Sequence, residues 1–160
     1  MMKQKGKKRM IQEIDIAARE WVEAVLRLQL RSYAVEARLM GFADLPPLQD
    51  TAATLQRCGE RFFGYMKQGQ LAGAISYERT KETVHICRLM VDPDFFRQGI
   101  ASALIEFVCD KEQDANEIIV MTGSTNMPAL RLYERHGFRE IEQIRMPEGI
   151  WMTKLVKWLS

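Results

Sequence analysis

The stretch LMVDPDFFRQGIASALIEF, Leu89 to Phe107, decides how this sequence is read. It opens as an apolar strand end, turns at Asp92-Pro93-Asp94, and runs through two phenylalanines into Arg97-Gln98-Gly99. A helical pattern follows, with Ala103, Leu104, Phe107 and Val108 on one face. The first turn of a helix leaves about four backbone N–H groups unpaired and carries about half a unit of positive charge. Gly99 has no Cβ, Arg97 adds charge and Ser102 adds a hydroxyl, so the junction suits an anion such as a phosphate. No complete P-loop or dinucleotide fingerprint is present. An ordinary strand–turn–helix junction also uses glycine, so on this stretch alone both readings stand.

Upstream, RFFGYMK, QLAGAISYE and TVHICRLMV are separated by QG and RTKE, spacings that predict a three-stranded antiparallel meander. Before them, MIQEIDI alternates as a short strand. Asp15 is placed to cap a helix running to about Met40, where Gly41 stops it. FADLPPLQD reads as a loop, and Asp50 as the cap of a short helix near Thr51 to Cys58. Downstream, EIIVMT is a near-continuous apolar run, the mark of a strand buried on both faces. MPALRLYERHGF reads as a helix with Pro128 early and Gly137 as its stop, and strands near FREIEQI and IWMTKLVKW follow. The order β-α-α-β-β-β-α-β-α-β-β predicts a mixed α/β sheet, with a parallel pair where the helix at 100–112 joins its flanking strands.

At 160 residues, 47% hydrophobic and 28% charged, the chain fits one globular domain, expected over residues 10–160. No run approaches the ~18 apolar residues of a membrane span, so no membrane is expected as partner. Residues 1–9 hold five of the 23 basic residues and none of the 21 acidic ones, so the rest of the chain carries a net −3. This run is expected to be a disordered basic tail; no apolar segment follows it, so it is not read as a secretory signal. It lacks interleaved aromatics, so nucleic acid is not the expected partner. Cys58, Cys87 and Cys109 form no metal-ligand spacing, and no metal is expected. Cys87 and Cys109 fall in apolar patterns where a free thiol packs as a small hydrophobe, which points to a reducing cytoplasm.

Together with TGSTNMPALRLYERHGF, residues 122–138, the opening stretch resembles the GNAT superfamily of acyl-CoA N-acyltransferases. The first segment matches an apolar-x-Val-x-Pro strand end followed by the loop that holds the coenzyme A pyrophosphate on backbone N–H groups. The second matches an Asn followed by an Ala-x-x-Leu-Tyr-x-x-x-Gly-Phe helix end. The resemblance spans roughly residues 10–158. It implies an α/β (α+β) fold with a mixed, largely antiparallel sheet of about seven strands, about four flanking helices, and a parallel pair splayed at the cofactor site. It implies acetyl-CoA as acyl donor and an amine as acceptor. It assigns Leu89, Met90 and Val91, with Gln98, Gly99, Ile100, Ala101 and Ser102, to cofactor binding, Asn126 to a cofactor contact, and Tyr133 to a place by the coenzyme sulfur. Members of the superfamily are often dimers, which leaves a homodimer open. One departure stands out: the family's first Arg/Gln falls on Phe96, so backbone donors would carry more of the binding, with either a weaker affinity for coenzyme A or compensation by Arg97 as the consequence.

Acyl transfer to an amine needs a neutral nucleophile, a stabilised oxyanion and a proton for the leaving thiolate. Tyr133, ordinarily titrating near ~10, can donate to a thiolate of pKa near ~8.5. The resemblance places an oxyanion-holding backbone N–H at the strand end of Leu89 to Val91. Simple alternation puts His85, Cys87, Leu89 and Val91 on one strand face, with His85 about 20 Å from Val91 at ~3.3 Å per residue. His85 is therefore a candidate base, with a structural histidine the competing reading. His136, beside Gly137, is expected to be exposed. The acceptor pocket is expected from the 31–50 segment and the final hairpin, which offer Tyr33, Glu36, Phe42, Asp44, Glu142, Glu148 and Trp151. A coenzyme-binding module without catalysis is the competing reading of the whole.

Overall fold

The computed structural model describes residues 10–41 and 46–159; the basic run 1–9, Phe42 and Asp44 lie outside the described residues. In chain order the elements are β1 (Ile11–Ile14), α1 (Arg19–Met40), α2 (Ala52–Gln56), β2 (Arg61–Lys67), β3 (Gln70–Thr80) and β4 (Thr83–Val91). Then come α3 (Ile100–Lys111), β5 (Glu117–Gly123), α4 (Met127–Arg135), β6 (Arg139–Arg145) and β7 (Trp151–Trp158). The seven strands form one sheet in the order β1-β2-β3-β4-β5-β7-β6. Every neighbouring pair is antiparallel except β4–β5. A parallel pair needs a crossover, and α3 supplies it.

The parallel ladder is short. It runs from Thr83↔Glu117 to Ile86↔Val120 and then stops, although both strands continue. Beyond it β5 pairs only with β7, and β4 only with β3. The sheet is therefore open between the C-terminal ends of β4 and β5.

A one-residue bulge in β4 corrects the expected alternation. Tyr77 pairs with Ile86 while Ser76 pairs with Arg88, leaving Cys87 as the extra residue. An inserted residue reverses the facing of everything beyond it. Val84 and Ile86 thus share a face with Leu89 and Val91, all in or against one apolar cluster, while Met90 belongs to the cluster on the other face. His85 falls with Arg88 and Met90, not with Leu89 and Val91. Cys87 is exposed rather than packed in the core, a second correction with the same cause.

The larger cluster packs α3 and α4 on one face through Leu104, Ile105, Val108, Leu130 and Tyr133. The second packs α1 and α2 on the opposite face through Val22, Val25, Leu28 and Leu55. Gly73 lets α3 come close: a Cβ there would lie 2.7 Å from Ile100 Cγ2 and 3.0 Å from the Met90 carbonyl oxygen. Two caps differ from expectation. Asp15 closes a turn by accepting from Ala17 N–H at 3.1 Å, and α1 starts later with Ala18 at its cap. The α2 cap is Thr51, in a reciprocal box with Thr54, which satisfies two otherwise unpaired N–H groups. Asp50 is thereby left for longer-range partners.

Candidate functional site

The gap between β4 and β5 opens into a cavity of about 700 Å³. One wall is α1, which presents Ser32, Tyr33, Val35, Glu36, Leu39 and Met40 at helical spacing. The others are β4 from Ile86 to Leu89 with Val91, the loop at Phe96 and Arg97, Ala101 of α3, Val120 to Thr122 of β5, and α4. Met146, Glu148, Ile150 and Met152 close the remaining side.

Where β5 departs, β4 has backbone donors with no strand to receive them. Val91 N–H donates to Ser32 Oγ at 3.3 Å, and the Tyr33 phenol lies beside the backbone of Leu89. These are side-chain substitutes for a missing strand. Two strand-end donors two residues apart therefore point into the cavity.

At one end of the cavity is the start of α3. Arg97 holds φ +64° and Gly99 φ +76°, both left-handed, and this turn delivers the chain to the helix. The first N–H groups of α3 have no intrahelical acceptor. Arg97 and Ala101 line the cavity, as does the Phe96 ring, which is 41% exposed. Ser102 Oγ lies 3.0 Å from His136 Nε2, tying the start of α3 to the end of α4, where Arg135 also lines the cavity. His136 is thus half-buried rather than exposed, and burial lowers its pKa. Gln98 turns away to accept from Lys67.

At the other end is the start of α4. Asn126 is 7% exposed and caps the helix by accepting from Ala129 N–H at 3.3 Å. The Asn126 side chain also lies beside the Glu36 carboxyl. Burial pushes that carboxyl above the usual range, against the opposing effect of Asn126. Tyr133, also on α4, is 4% exposed and packs edge-on to Phe138 at 5.3 Å. Burial first, then the nearby Tyr33 and Glu36, push its phenol far above the ordinary tyrosine value. Tyr33 is raised in the same way, by burial and then by Glu36.

Of the residues singled out from sequence, Leu89, Val91, Arg97, Ala101, Asn126 and Tyr133 meet at this cavity, with Gly99, Ile100 and Ser102 forming the start of the adjoining helix. Met90 points its side chain into the opposite core. His85 is exposed and does not line the cavity, because the bulge turns it onto the other face. On the acceptor side, Tyr33, Glu36 and Glu148 line the cavity. Glu142 instead lies 3.8 Å from Lys154, and the half-exposed Trp151 is not on the lining.

Arg88 was not singled out. Its guanidinium reaches Asp50 at 2.6 Å, Glu60 at 2.9 Å and Gln29 at 2.8 Å, anchoring β4 to the α1–α2 side just after the bulge. A charged residue inside an apolar strand was the available signal. Glu60, Glu78 and Cys87 also place ligand atoms within 4.8 Å of one another. Glu60 is already committed to Arg88 and to Ser76 at 2.6 Å. The Cys87 thiol is pushed up to about 12, first by desolvation and then by Glu60 and Glu78, which disfavours a metal-binding thiolate.

The acetyltransferase (GNAT) domain family matches residues 34–159, a span that contains the β4–β5 opening, the α3 junction and Tyr133. The chain belongs to this family. Among its relatives, UPF0157 protein YqkA of Bacillus subtilis is 41% identical over 129 residues, covering 81% of this chain but only 38% of YqkA. The chain thus spans well under half the length of that relative. The [Ribosomal protein bS18]-alanine N-acetyltransferase of Escherichia coli is 28% identical over 113 residues, 68% of this chain and 73% of that protein. A crystal structure of the E. coli ribosomal-protein-S18-alanine N-acetyltransferase shares the GNAT fold at a TM-score of 0.74, with 20% identity, covering 94% of this chain and 93% of the other. The PaiA N-acetyltransferase from Thermoplasma acidophilum, solved in complex with coenzyme A, matches at a TM-score of 0.73 and 15% identity, covering 92% and 97%. Acetyl-CoA is the donor that the GNAT family uses. Among the described residues no helix is long and apolar enough to cross a membrane.

Proposed function

We propose that this chain transfers an acetyl group from acetyl-CoA to a primary amine by direct attack, with both substrates in the β4–β5 cavity. The observation that carries this is the placement of Tyr133, a buried phenol held in its protonated form, in the same cavity as the β4 backbone donors that no neighbouring strand receives.

The residues fit the donor. The backbone N–H groups at the start of α3, with Arg97 and Arg135 nearby, suit its phosphates. Phe96 offers no donor there, so Arg97, turned into the cavity by its left-handed backbone, takes the charged role. The β4 donors at Leu89 and Val91 suit the amide-bearing arm and the acyl oxygen. Ser32 and Tyr33 meet them in this structure, and a substrate oxygen can replace those hydroxyls. As the C–S bond breaks, Tyr133 supplies the proton to the leaving thiolate. Burial keeps the phenol protonated and so available when the thiolate forms. The same burial makes it a weaker acid, so the transfer is driven by the uncompensated charge that would otherwise build on the sulfur in this enclosed place. His85 is outside the cavity and is not given the base role.

Calorimetry with acetyl-CoA and free-thiol release on an amine panel test the reading. Binding of acetyl-CoA is expected. Tyr133→Phe is expected to lower kcat by more than about tenfold with little change in acetyl-CoA affinity. No binding heat and no thermal stabilisation at millimolar acetyl-CoA would overturn it. Binding without turnover of any amine would favour a coenzyme-binding module instead.

A further inference from the structure

The cavity is electrically lopsided. Arg97 and Arg135 lie at the end where α3 begins and α4 finishes, joined by the Ser102–His136 contact. Glu36 lies at the opposite end of α4, on the Asn126 cap. A nine-residue helix is about 13 Å long, so roughly that length of α4 lies between the Asn126 cap and Arg135. Glu36 is partly buried, its partner Asn126 is neutral, and no cation among the described residues pairs with it. Next to it the wall is soft and apolar. Met40 lies against Gly123, and Met121, Met146 and Met152 line the same side with Leu39 and Ile150. Methionines adapt to ligands of varied shape. Carboxylates are few: Glu36 and Glu148 line the cavity, against Arg88, Arg97 and Arg135.

We infer that Glu36 receives the acceptor's ammonium group and takes its proton, and that the methionine wall beside it holds an apolar substituent, so that the acceptor is a primary monoamine with an apolar body. This rests on the acetyl-transfer reading above. A polyamine or aminoglycoside has several charges to place and finds on the lining the partly buried Glu36, the exposed Glu148 and the arginines Arg97 and Arg135, Arg88 being already paired with Asp50 and Glu60. A monoamine with an apolar tail matches both features at once.

The step balances. R–NH3+ gives one proton to the Glu36 carboxylate, and the freed nitrogen pair bonds the acyl carbon of the thioester. The carbon–sulfur bond breaks on collapse, and its electron pair takes the proton of Tyr133. The second proton lost by the nitrogen restores Tyr133, and Glu36 returns its own to solvent. Burial, which raises Glu36, makes it a stronger base than an exposed carboxylate. The titratable groups that act on it are Tyr33 of α1 and Tyr133 of α4, and Arg88 of β4, Glu148 of the β6–β7 turn, Arg97 and Arg135 share the cavity.

The test measures free-thiol release from acetyl-CoA with benzylamine, phenethylamine and tryptamine against spermidine and kanamycin, from pH 6 to 9.5. Wild type, Glu36→Gln, Glu36→Asp and the off-cavity control Glu142→Gln are compared, with acetyl-CoA affinity measured on each. The apolar monoamines are expected to exceed spermidine and kanamycin in kcat/KM by at least about tenfold. Glu36→Gln is expected to lose about a hundredfold in kcat/KM at pH ~7 and to have the acidic limb of its pH profile moved up to the amine's own titration, with acetyl-CoA affinity within about twofold. Glu36→Asp keeps the limb at reduced rate, and Glu142→Gln is unchanged. If Glu36→Gln fails to bind acetyl-CoA, the limb in Glu36→Asp and the amine preference of wild type decide. Spermidine or kanamycin preferred, Glu36→Gln within about threefold of wild type, or acetyl-CoA bound with no amine acetylated would each overturn the inference. Failure of wild type to bind acetyl-CoA would instead remove the acetyl-transfer reading on which it stands.

Discussion

Glu36 and Tyr133 share a cavity and are both held toward their protonated forms, chiefly by burial, yet the consequence differs. A phenol pushed upward stays neutral at every physiological pH and costs the fold nothing there. A carboxyl pushed upward must ionise in a place that resists ionisation. Its folded pKa lies above the unfolded value near ~4.3, so the folded state binds more protons and stability falls as pH rises through that window. Glu36→Gln removes the titration. The melting temperature of Glu36→Gln relative to wild type is therefore expected to rise between pH 4.5 and pH 8. In a domain of this size each kcal/mol shifts it by about 2–4 °C. An unchanged difference across that range would show that Glu36 is not desolvated in solution. Tyr133 was legible in sequence because its segment carries a whole helix end. Glu36 was legible only as one carboxylate in a mixed set, because what distinguishes it is the Asn126 contact, made across 90 positions of chain.

The element that shapes the site is β4, and its decisive feature is invisible to residue alternation. TVHICRLMV reads as an unbroken strand, and on that reading His85 faces the cofactor. The bulge at Cys87 reverses this, and its register is set by partners far away in sequence. Immediately after it, Arg88 is clamped by Asp50 and Glu60, its side chain 13% exposed. Burial lowers the pKa of Arg88, but the bonds to Glu60 and Asp50 outweigh that and raise it. Asp50, predicted as a helix cap, is spent here instead, and Thr51 caps in its place. Removing one partner of a buried charge network leaves the others uncompensated. Arg88→Met, which keeps the volume of the stem, is expected to cost roughly 3–5 kcal/mol in a urea denaturation experiment. A loss below about 1 kcal/mol would mean that the bulge is held by backbone pairing alone.

At the scale of the whole molecule, the order of elements along the chain, the antiparallel meander and the parallel pair followed from hydrophobic periods, turn spacings and crossover rules, because each element buries one readable side. The opening between β4 and β5 did not follow from them. It arises where a parallel ladder ends while both strands continue, a matter of relative strand direction that no single segment encodes. The opening joins the two faces of the sheet, with arginines toward α3 and Glu36 toward α1. Outside its first nine residues the chain carries a net −3, so attraction of an anionic donor depends on a local basic cluster and not on the overall field. Exposed charges are screened over about 10 Å at 0.1 M salt, whereas helix N–H groups close to their ligand are screened much less. Raising NaCl from 50 to 500 mM is therefore expected to weaken acetyl-CoA binding several-fold but not abolish it. Arg97→Ala is expected to weaken it about tenfold at low salt and to flatten the salt dependence, while leaving the KM for the amine within about twofold. If Arg97→Ala bound acetyl-CoA as wild type does at 50 mM NaCl, the backbone donors at the start of α3 would be carrying the phosphates unaided, and Phe96 would have displaced the charged contact altogether.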